Sequence, residues 1–157
     1  MKTRAIYPGT FDPITNGHVD IIYRALNIFD EVIIGVANGD NKTPMFDIDK
    51  RVEMIESTFV DMPRVSVESF DTLLVDYAAK KDIFTIIRGL RVVSDFEYEL
   101  QMGYANSSLN EKIDTVYLMP RLKNAFVSSS IVRSILNKGT CPKHLIPSGV
   151  VKYVCNS

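Results

Sequence analysis

The feature that most constrains this chain is the alternation of short, β-branched apolar runs with longer stretches of helical hydrophobic spacing. Five runs are predicted to be strands: residues 5–7, 32–36, 65–67, 84–87 and 115–119. The stretches between them place apolar residues three and four positions apart, as helices with one buried face do. Because parallel strands need helical crossovers, this alternation predicts an α/β fold: a single doubly wound, Rossmann-like domain with a five-stranded parallel sheet.

Five helices are expected between and after these strands. The first three are indicated by apolar stripes, at Ile14, Ile21, Ile22, Ala25, Leu26 and Phe29, at Val52, Ile55 and Phe59, and at Leu74, Ala78 and Ala79. The fourth is predicted to begin at Ser94, because Glu97 follows three residues later in the pattern of a capping box, and to reach about Ser108. The fifth is predicted to begin near Ser128, and the tail over 142–157 to hold a further short helix.

Bulk composition limits the classes of function. A chain of 157 residues with 46% hydrophobic content can bury the core of one domain over residues 1–157 without a metal or disulfide. Lys and Arg number 18 and Asp and Glu 19, so the net charge of −1 argues against a nucleic-acid binder. The first apolar segment ends at Pro8-Gly9, too short for a signal peptide or membrane span, so a soluble, cytoplasmic protein is expected.

The two cysteines, Cys141 and Cys155, lack the spacing of metal ligands. With only His18 and His144 beside them, a structural zinc site is not expected, and both cysteines are predicted to be reduced thiols.

Four predicted strand-to-helix loops carry residues suited to phosphate binding. In a doubly wound sheet, ligands bind beyond the carboxyl ends of the strands, where the strand order reverses. The loops that this rule selects cover residues 8–13, 37–42, 88–91 and 120–130. They supply glycines that let backbone N–H groups approach an anion, hydroxyls at helix starts, and Lys and Arg charges.

The segment from Thr10 to His18, TFDPITNGH, is the most informative of these. It lacks both the GxGxxG of dinucleotide-binding folds and the GxxxxGK[ST] of P-loop enzymes. Gly17 would leave room for a nucleotide, and His18 could direct a ring N–H at a phosphoryl oxygen. The alternative is that Asn16-Gly17 forms an ordinary turn and His18 is a solvated histidine.

Three other sites also have structural alternatives. Lys42 could be an ordinary solvated lysine. Arg88 follows an apolar run, so its buried charge would need an anionic partner, either Glu99 or a phosphate. The hydroxyls of residues 128–130 could simply cap a helix, or, with Arg133 one turn inside, form a pyrophosphate cradle.

Together, these motifs resemble bacterial phosphopantetheine adenylyltransferases, which belong to the nucleotidyltransferase superfamily. The resemblance rests on residues 7–18 (YPGTFDPITNGH), 42–46, 87–91 followed by 95–99, and 126–130, in matching order and spacing from residue 2 to about 150. It implies transfer of the adenylyl group of ATP to 4'-phosphopantetheine, giving 3'-dephospho-coenzyme A and pyrophosphate. The acceptor phosphate is already a nucleophile, so we expect direct in-line displacement without a general base or covalent intermediate.

The resemblance also implies roles for individual residues. His18, Lys42 and Arg88 would be catalytic; Thr10, Lys42, Leu74 and Arg88 would bind phosphopantetheine. The expected ATP-binding residues are Thr10, Phe11, His18, Gly89, Leu90, Arg91, Glu99, Asn124, Ala125, Phe126, Val127, Ser128, Ser129 and Ser130.

Further implications are Mg²⁺ brought in with ATP, no metal ligand from the protein, a homohexamer, and feedback inhibition by coenzyme A. The chain departs from its relatives at Asn124-Ala125, where they often have an aromatic residue and Ser, and this puts local ATP contacts in question. Two other functions stay open: a sister nucleotidyltransferase acting on nicotinamide mononucleotide or glycerol 3-phosphate, and a noncatalytic nucleotide-binding module.

Overall fold

The computed structural model describes residues 1–39 and 43–155, apart from the side chains of Val93 and Ser94. The five predicted strands are all present, as β1 Arg4–Gly9, β2 Glu31–Ala37, β3 Val65–Phe70, β4 Thr85–Gly89 and β5 Asp114–Leu118. The described helices are α1 Asn16–Ala25, α2 Ile48–Thr58, α3 Leu74–Lys81, α4 Val93–Leu109, α5 Ser129–Asn137 and α6 Val151–Val154. The α/β prediction is therefore confirmed.

All neighbouring strands pair in parallel, in the order β3-β2-β1-β4-β5. The chain first winds from β1 outward to β3 and then returns to add β4 on the other side of β1. The strand order thus reverses between β1 and β4. This reversal opens a crevice at their carboxyl ends, because the helices that follow β1 and β4 leave toward opposite faces of the sheet.

Apolar side chains cover both faces of the sheet. The larger cluster packs helices α1, α2 and α5 on one face, with Ile22, Ile34 and Val132 fully buried. The smaller cluster lies under α3 and buries Ile6 and Ile86 completely. Because β1 and β4 are buried on both faces, their ends give the crevice a rigid base.

Three helix starts near the crevice are capped by side chains. Thr15 caps α1, Asp47 caps α2 and Ser128 caps α5, each accepting a hydrogen bond from a backbone N–H of the first turn. The capping box predicted at Ser94 was wrong. Val92 occupies the extended N-cap position of α4 without a side-chain cap, so Ser94 lies inside the helix. A capping box needs its hydroxyl on the last residue before the helix.

The two cysteines are joined in a disulfide, so the prediction of reduced thiols was wrong. 3₁₀ turns at Lys143–Leu145 and Ser148–Val150, followed by α6, fold the tail back and bring Cys155 next to Cys141, with their Cα atoms 5.5 Å apart. The predicted short helix in the tail is present as α6. Cys155 also packs against the larger core cluster. Sequence spacing could not reveal this pair, because its proximity depends on how the tail folds back.

None of the helices in the described part of the chain has the length and apolar character needed to cross a membrane.

Candidate functional site

A cavity of about 440 Å³ opens at the crevice between β1 and β4. Its walls come from the ends of these two strands, the first turn of α1, the beginning of α4 and the N-terminus of α5. Eleven of the predicted site residues line it: Thr10, Phe11, His18, Arg88, Gly89, Arg91, Glu99, Val127, Ser128, Ser129 and Ser130. Residues that are up to 120 positions apart in the sequence therefore share one site.

The remaining predicted residues lie elsewhere. Among the described residues, Leu90, Asn124, Ala125 and Phe126 are not part of this cavity's wall. The last three belong to the segment that joins the cavity to a second one beside α1, which Asn124 and Phe126 line. Leu74 lines a smaller adjoining cavity. Lys42 lies outside the residues that the structure describes.

His18 is held with a defined tautomer. It is the third residue of α1, and the backbone N–H of Thr15 donates to its Nδ1 at 2.9 Å, while the His18 N–H donates to the Thr15 hydroxyl. Burial, together with the charges of Arg91 and Arg88, lowers the pKa of His18 to about 3. A neutral imidazole whose Nδ1 accepts a hydrogen bond must carry its proton on Nε2. His18 therefore provides an uncharged N–H donor, and it is not a freely solvated histidine.

The aromatic neighbours of His18 restrict its ring. Phe11 packs edge-on against it, with ring centroids 4.9 Å apart, and Tyr7 lies behind at 6.3 Å. Both rings come from the end of β1 and the loop after it. The loop that carries Thr10 therefore also helps to orient the His18 ring, through Phe11.

Arg88 has a protein partner, which answers the question left by the sequence. Its Nε and Nη2 donate to the two carboxylate oxygens of Glu99 at 2.7 and 2.6 Å, and Nη1 donates to the Pro8 carbonyl at 2.9 Å. Burial alone would lower the pKa of Arg88, but the hydrogen bonds and charge of Glu99 outweigh it and raise that pKa. The pair fixes the guanidinium rigidly at the boundary of the two adjoining cavities.

Two more arginines line the main cavity. Arg91 is paired with Asp95, with Nε 3.2 Å from the carboxylate, and it also donates to the Val127 carbonyl at 3.3 Å. Arg133 donates to the Asp12 carbonyl at 2.8 Å. Arg133 was noted in the sequence as part of a cradle, and the structure places it in the wall of the cavity.

The serines at the start of α5 combine capping and binding geometry. Ser128 accepts from the Ile131 N–H at 3.2 Å, Ser129 donates to the Pro13 carbonyl at 2.8 Å, and Ser130 accepts from Arg133 at 3.2 Å. All three residues also line the cavity. The N-terminus of α5 therefore points its partial positive charge at the site, which suits an anionic ligand.

Gly17 permits close packing beside the cavity. A Cβ at this position would lie 3.1 Å from the Val127 carbonyl oxygen, so any larger residue would push α1 and the 124–127 segment slightly apart. Nearby, the buried Asn124 side chain donates to Asp20 at 2.6 Å, and the Arg121 N–H donates to the same oxygen at 3.2 Å. Asn124 thus turns toward α1 and holds the segment in place.

The smaller cavity extends from Arg88 along α4 and has a volume of about 170 Å³. Besides Leu74, Arg88 and Glu99, it is lined by Tyr98, Met102 and Asn106. Sequence reasoning missed these last three residues, although their spacing of four places them on one face of a helix. The arrangement suits an extended, mostly apolar chain attached to an anion at Arg88.

The chain is similar to several known proteins. Residues 6–135 match the family model described as cytidylyltransferase-like. Proteins named phosphopantetheine adenylyltransferase from Nautilia profundicola and Campylobacter curvus are 59% and 60% identical over 152 and 150 residues, covering 97% and 96% of this chain and 99% and 96% of the relatives. The protein of that name from Helicobacter hepaticus is 53% identical over 154 residues, covering 98% of this chain and 93% of the relative.

Among solved structures, a bifunctional NMN adenylyltransferase/ADP ribose pyrophosphatase from Francisella tularensis, complexed with AMP and a manganese ion, has a TM-score of 0.71 at 20% identity. The match covers 97% of this chain and 46% of that protein, so the chain spans about half of its length. At this identity, the likeness supports the Rossmann-like fold.

Proposed function

This chain belongs to the phosphopantetheine adenylyltransferase family, and we propose that the cavity between β1 and β4 is where the adenylyl group of ATP passes to 4'-phosphopantetheine. The enzyme is a nucleotidyltransferase of coenzyme A biosynthesis, and the products are 3'-dephospho-coenzyme A and pyrophosphate. The observation that carries the choice of this reaction is an identity of 53–60% to proteins of that name over nearly their whole lengths.

The chemistry we propose is a direct in-line displacement. An oxygen of the acceptor phosphate attacks the α-phosphorus of ATP, the new P–O bond forms, and the bond from the α-phosphorus to the bridging oxygen breaks as pyrophosphate leaves. The acceptor phosphate is a nucleophile without further activation, so positioning and charge stabilisation are sufficient. No general base and no covalent enzyme intermediate are assigned.

His18 would act on the transferring group. Its neutral Nε2–H can donate to an α-phosphoryl oxygen without a change in protonation, and the stabilisation would grow as charge redistributes in the transition state. Arg91, Gly89 and the α5 N-terminus with residues 128–130 would hold the rest of ATP. Leu90, Glu99 and residues 124–127 remain part of the proposed ATP site, with Thr10 and Phe11 lining it as well. Residue 124 would contribute only its backbone, because its side chain is bonded to Asp20.

The acceptor would lie across Arg88. Thr10, Lys42 and Arg88 are proposed to bind the phosphate of phosphopantetheine, and its pantetheine arm would follow the smaller cavity past Leu74. Arg88 lines both cavities, which supports its proposed position between the acceptor phosphate and ATP. Its pairing with Glu99 keeps the guanidinium in place before either substrate binds.

Divalent metal use is suggested by the nucleotidyltransferase family and by the manganese ion in the Francisella tularensis structure, and we propose Mg²⁺ here. Both acidic side chains of the cavity, Asp95 and Glu99, are engaged by arginines. Among the described residues there is no group of three His, Cys, Asp or Glu side chains suited to hold a metal. Mg²⁺ would therefore enter with ATP, held by phosphate oxygens and water.

We further propose a homohexamer and feedback inhibition by coenzyme A. Self-association is supported by α4, which carries five exposed apolar side chains: Phe96, Tyr98, Met102, Tyr104 and Leu109. Exposed apolar surface of this extent on a monomer is typical of a protein interface. Coenzyme A carries both an adenosine and a pantetheine arm, so it could occupy the two adjoining cavities and compete with both substrates.

Residues 1–157 are proposed to form one nucleotidyltransferase domain, because a single sheet with two covered faces accounts for the described elements. We propose the cytoplasm as its compartment, since the reaction consumes ATP.

Two other functions are distinguished by one assay. The purified protein, ATP and Mg²⁺ are incubated separately with phosphopantetheine, nicotinamide mononucleotide and glycerol 3-phosphate, and products are identified by mass spectrometry. We expect pyrophosphate and 3'-dephospho-coenzyme A with phosphopantetheine alone. Adenylylation of either other acceptor at a higher kcat/KM would indicate a sister enzyme, and ATP binding without any product would indicate a binding module.

A further inference from the structure

The buried residue Arg51, on α2, connects three loops of the site without lining it. Its side chain is 1% exposed. Nε donates to the Phe46 carbonyl at 3.0 Å, and Nη1 donates to the carbonyls of Thr10 and Ala37, both at 2.8 Å. These acceptors belong to the loop after β1, the end of β2 and the start of α2. One guanidinium therefore links the backbone at all three places.

The charge of Arg51 is compensated by backbone dipoles. Within the described part of the chain, no carboxylate oxygen lies within ion-pair distance of it. Burial lowers the pKa of Arg51, while the more distant charges of Asp12 and Asp47 act in the opposite direction. A guanidinium stays protonated in proteins, so the cost of burying it must be offset by the three carbonyls. The three carbonyls must stay in place to offset the cost of burying this charge, so the loops that carry them are constrained.

Asp12 makes the complementary set of bonds. It is 4% exposed, and its two carboxylate oxygens accept from the backbone N–H groups of Met45 and Phe46 at 2.8 and 2.9 Å. The backbone N–H of Phe46 thus donates to the Asp12 carboxylate, and the backbone carbonyl of Phe46 accepts from Arg51. The loop after β1 is tied to the segment before α2 from both sides.

We propose that Arg51 and Asp12 are positioning residues for the acceptor phosphate, an inference that rests on the proposed function. Arg51 fixes the carbonyl of Thr10, whose side chain is proposed to bind that phosphate. It also anchors the carbonyl of Ala37 at the end of β2 and that of Phe46 before α2. His18 and the α5 N-terminus, proposed to hold ATP, accept no bond from Arg51. Arg51 therefore sets the acceptor side of the site more than the ATP side. Asp12 also contacts α5, because its carbonyl accepts from Arg133 and its carboxylate lies 3.9 Å from that guanidinium.

The test compares Arg51→Lys with a matched control, Arg64→Lys. Arg64 also donates to three backbone carbonyls, those of Asp30, Leu26 and Phe29, but it lies at the amino ends of the strands, away from the cavity. Lysine keeps the positive charge in each case, yet its single ammonium cannot reproduce the fork of a guanidinium. Both variants thus remove guanidinium bonds to three backbone carbonyls, one near the site and one far from it, although Arg51 is buried and Arg64 is exposed.

KM values for both substrates and the melting temperature are measured for each variant. Arg51→Lys should raise the KM for phosphopantetheine about 10-fold or more, the scale of effect for a displaced binding group, and change the KM for ATP less than about 3-fold. Arg64→Lys should leave both KM values near those of the wild type. A purely structural Arg51 would lower the melting temperature while moving the two KM values equally or not at all, and this result would overturn the inference.

Two further measurements cover the case in which Arg51→Lys does not fold. Asp12→Asn should raise the KM for phosphopantetheine more than the KM for ATP, even though the Asp12 carboxylate also lies 3.9 Å from Arg133 in the wall of the main cavity. The backbone amides of Met45 and Phe46 donate hydrogen bonds to Asp12. In the wild-type protein, phosphopantetheine should slow hydrogen exchange at these two amides, and ATP alone should not. Unselective KM changes in Asp12→Asn, or unaltered exchange, would refute the inference. A wild type that forms no 3'-dephospho-coenzyme A would instead refute the proposed function.

Discussion

The backbone N–H of Thr15 donates to Nδ1 of His18 at 2.9 Å, so the N-cap of α1 also determines the tautomer of the residue proposed to act on the transferring phosphoryl group. The reciprocal bond, from the His18 N–H to the Thr15 hydroxyl, closes a capping box in which histidine stands where Glu or Gln is common. Because Nδ1 is occupied, Nε2 carries the proton and can donate to substrate. The hydrogen bonds that cap α1 therefore also fix which nitrogen of the His18 ring carries the proton.

The first prediction concerns removal of this donor. His18→Ala should lower kcat about 100-fold to 1000-fold, as removal of a single oxyanion donor does, while the KM for ATP changes only a few-fold. Steady-state kinetics with saturating phosphopantetheine measure both. Near-normal kcat in a folded variant would contradict the catalytic role. If ATP labelled at its α-phosphate became covalently attached to the wild-type protein in the absence of phosphopantetheine, direct displacement would be contradicted.

The second prediction concerns pH and stability. The pKa of His18 falls from 6.5 to about 3 on folding, so between these values the unfolded chain binds a proton that the folded chain does not. The free energy of unfolding must therefore fall as pH is lowered through this range, and His18 should account for up to about 2 kcal/mol between pH 7.5 and 5.0. Denaturant unfolding of wild type and His18→Gln at both values tests this.

The chain has one other histidine, the exposed His144, which supplies the control for that experiment. His144→Gln should lose stability on acidification as the wild type does, whereas His18→Gln should lose less. Equal losses in His18→Gln and the wild type would show that His18 titrates alike in the folded and unfolded states.

The third prediction concerns the acceptor phosphate. Lys42→Ala and Arg88→Ala should each reduce kcat/KM for phosphopantetheine by the equivalent of about 1.5–3 kcal/mol, the range for hydrogen bonds to charged groups. Calorimetric ATP affinity should change less. Lys81→Ala is the control, because it breaks another ion pair, with Glu68, far from the cavity. If a variant lost ATP binding but still bound phosphopantetheine, the residue replaced in it would bind ATP and not the acceptor phosphate.

The fourth prediction concerns the side chain of Asn124. This side chain is buried and donates to Asp20, so it is turned away from the main cavity. Asn124→Tyr should therefore lower the free energy of unfolding by about 1–3 kcal/mol, because the Asp20 carboxylate loses a donor, without tightening ATP. Lys123→Ala, at an exposed neighbour, should be neutral. Tighter ATP binding at unchanged stability would show that position 124 reaches the nucleotide.

Much of the fold could be predicted because its determinants are local. β-branched runs predicted all five strands, and their order along the chain predicted helical crossovers and a parallel sheet. The polar loops at the strand ends were also visible, and the general rule for doubly wound sheets brought Thr10, His18, Arg88 and residues 128–130 to one cavity. Each of these inferences needed only the character of neighbouring residues and the geometry of a common architecture.

Other features depended on contacts between distant segments. The sequence could present Arg88 as a buried cation with two candidate partners, but only packing of α4 against the end of β4 placed Glu99 within 2.6 Å. The sequence pattern indicates that Arg51 is an ordinary charged residue on a helix surface. In the folded chain, however, it is buried and donates to three backbone carbonyls. The pairing of Cys141 with Cys155 likewise required the tail to fold back. Periodicity along a chain reports which face of an element is buried, but the partner that each side chain meets there is decided by how the elements pack in three dimensions.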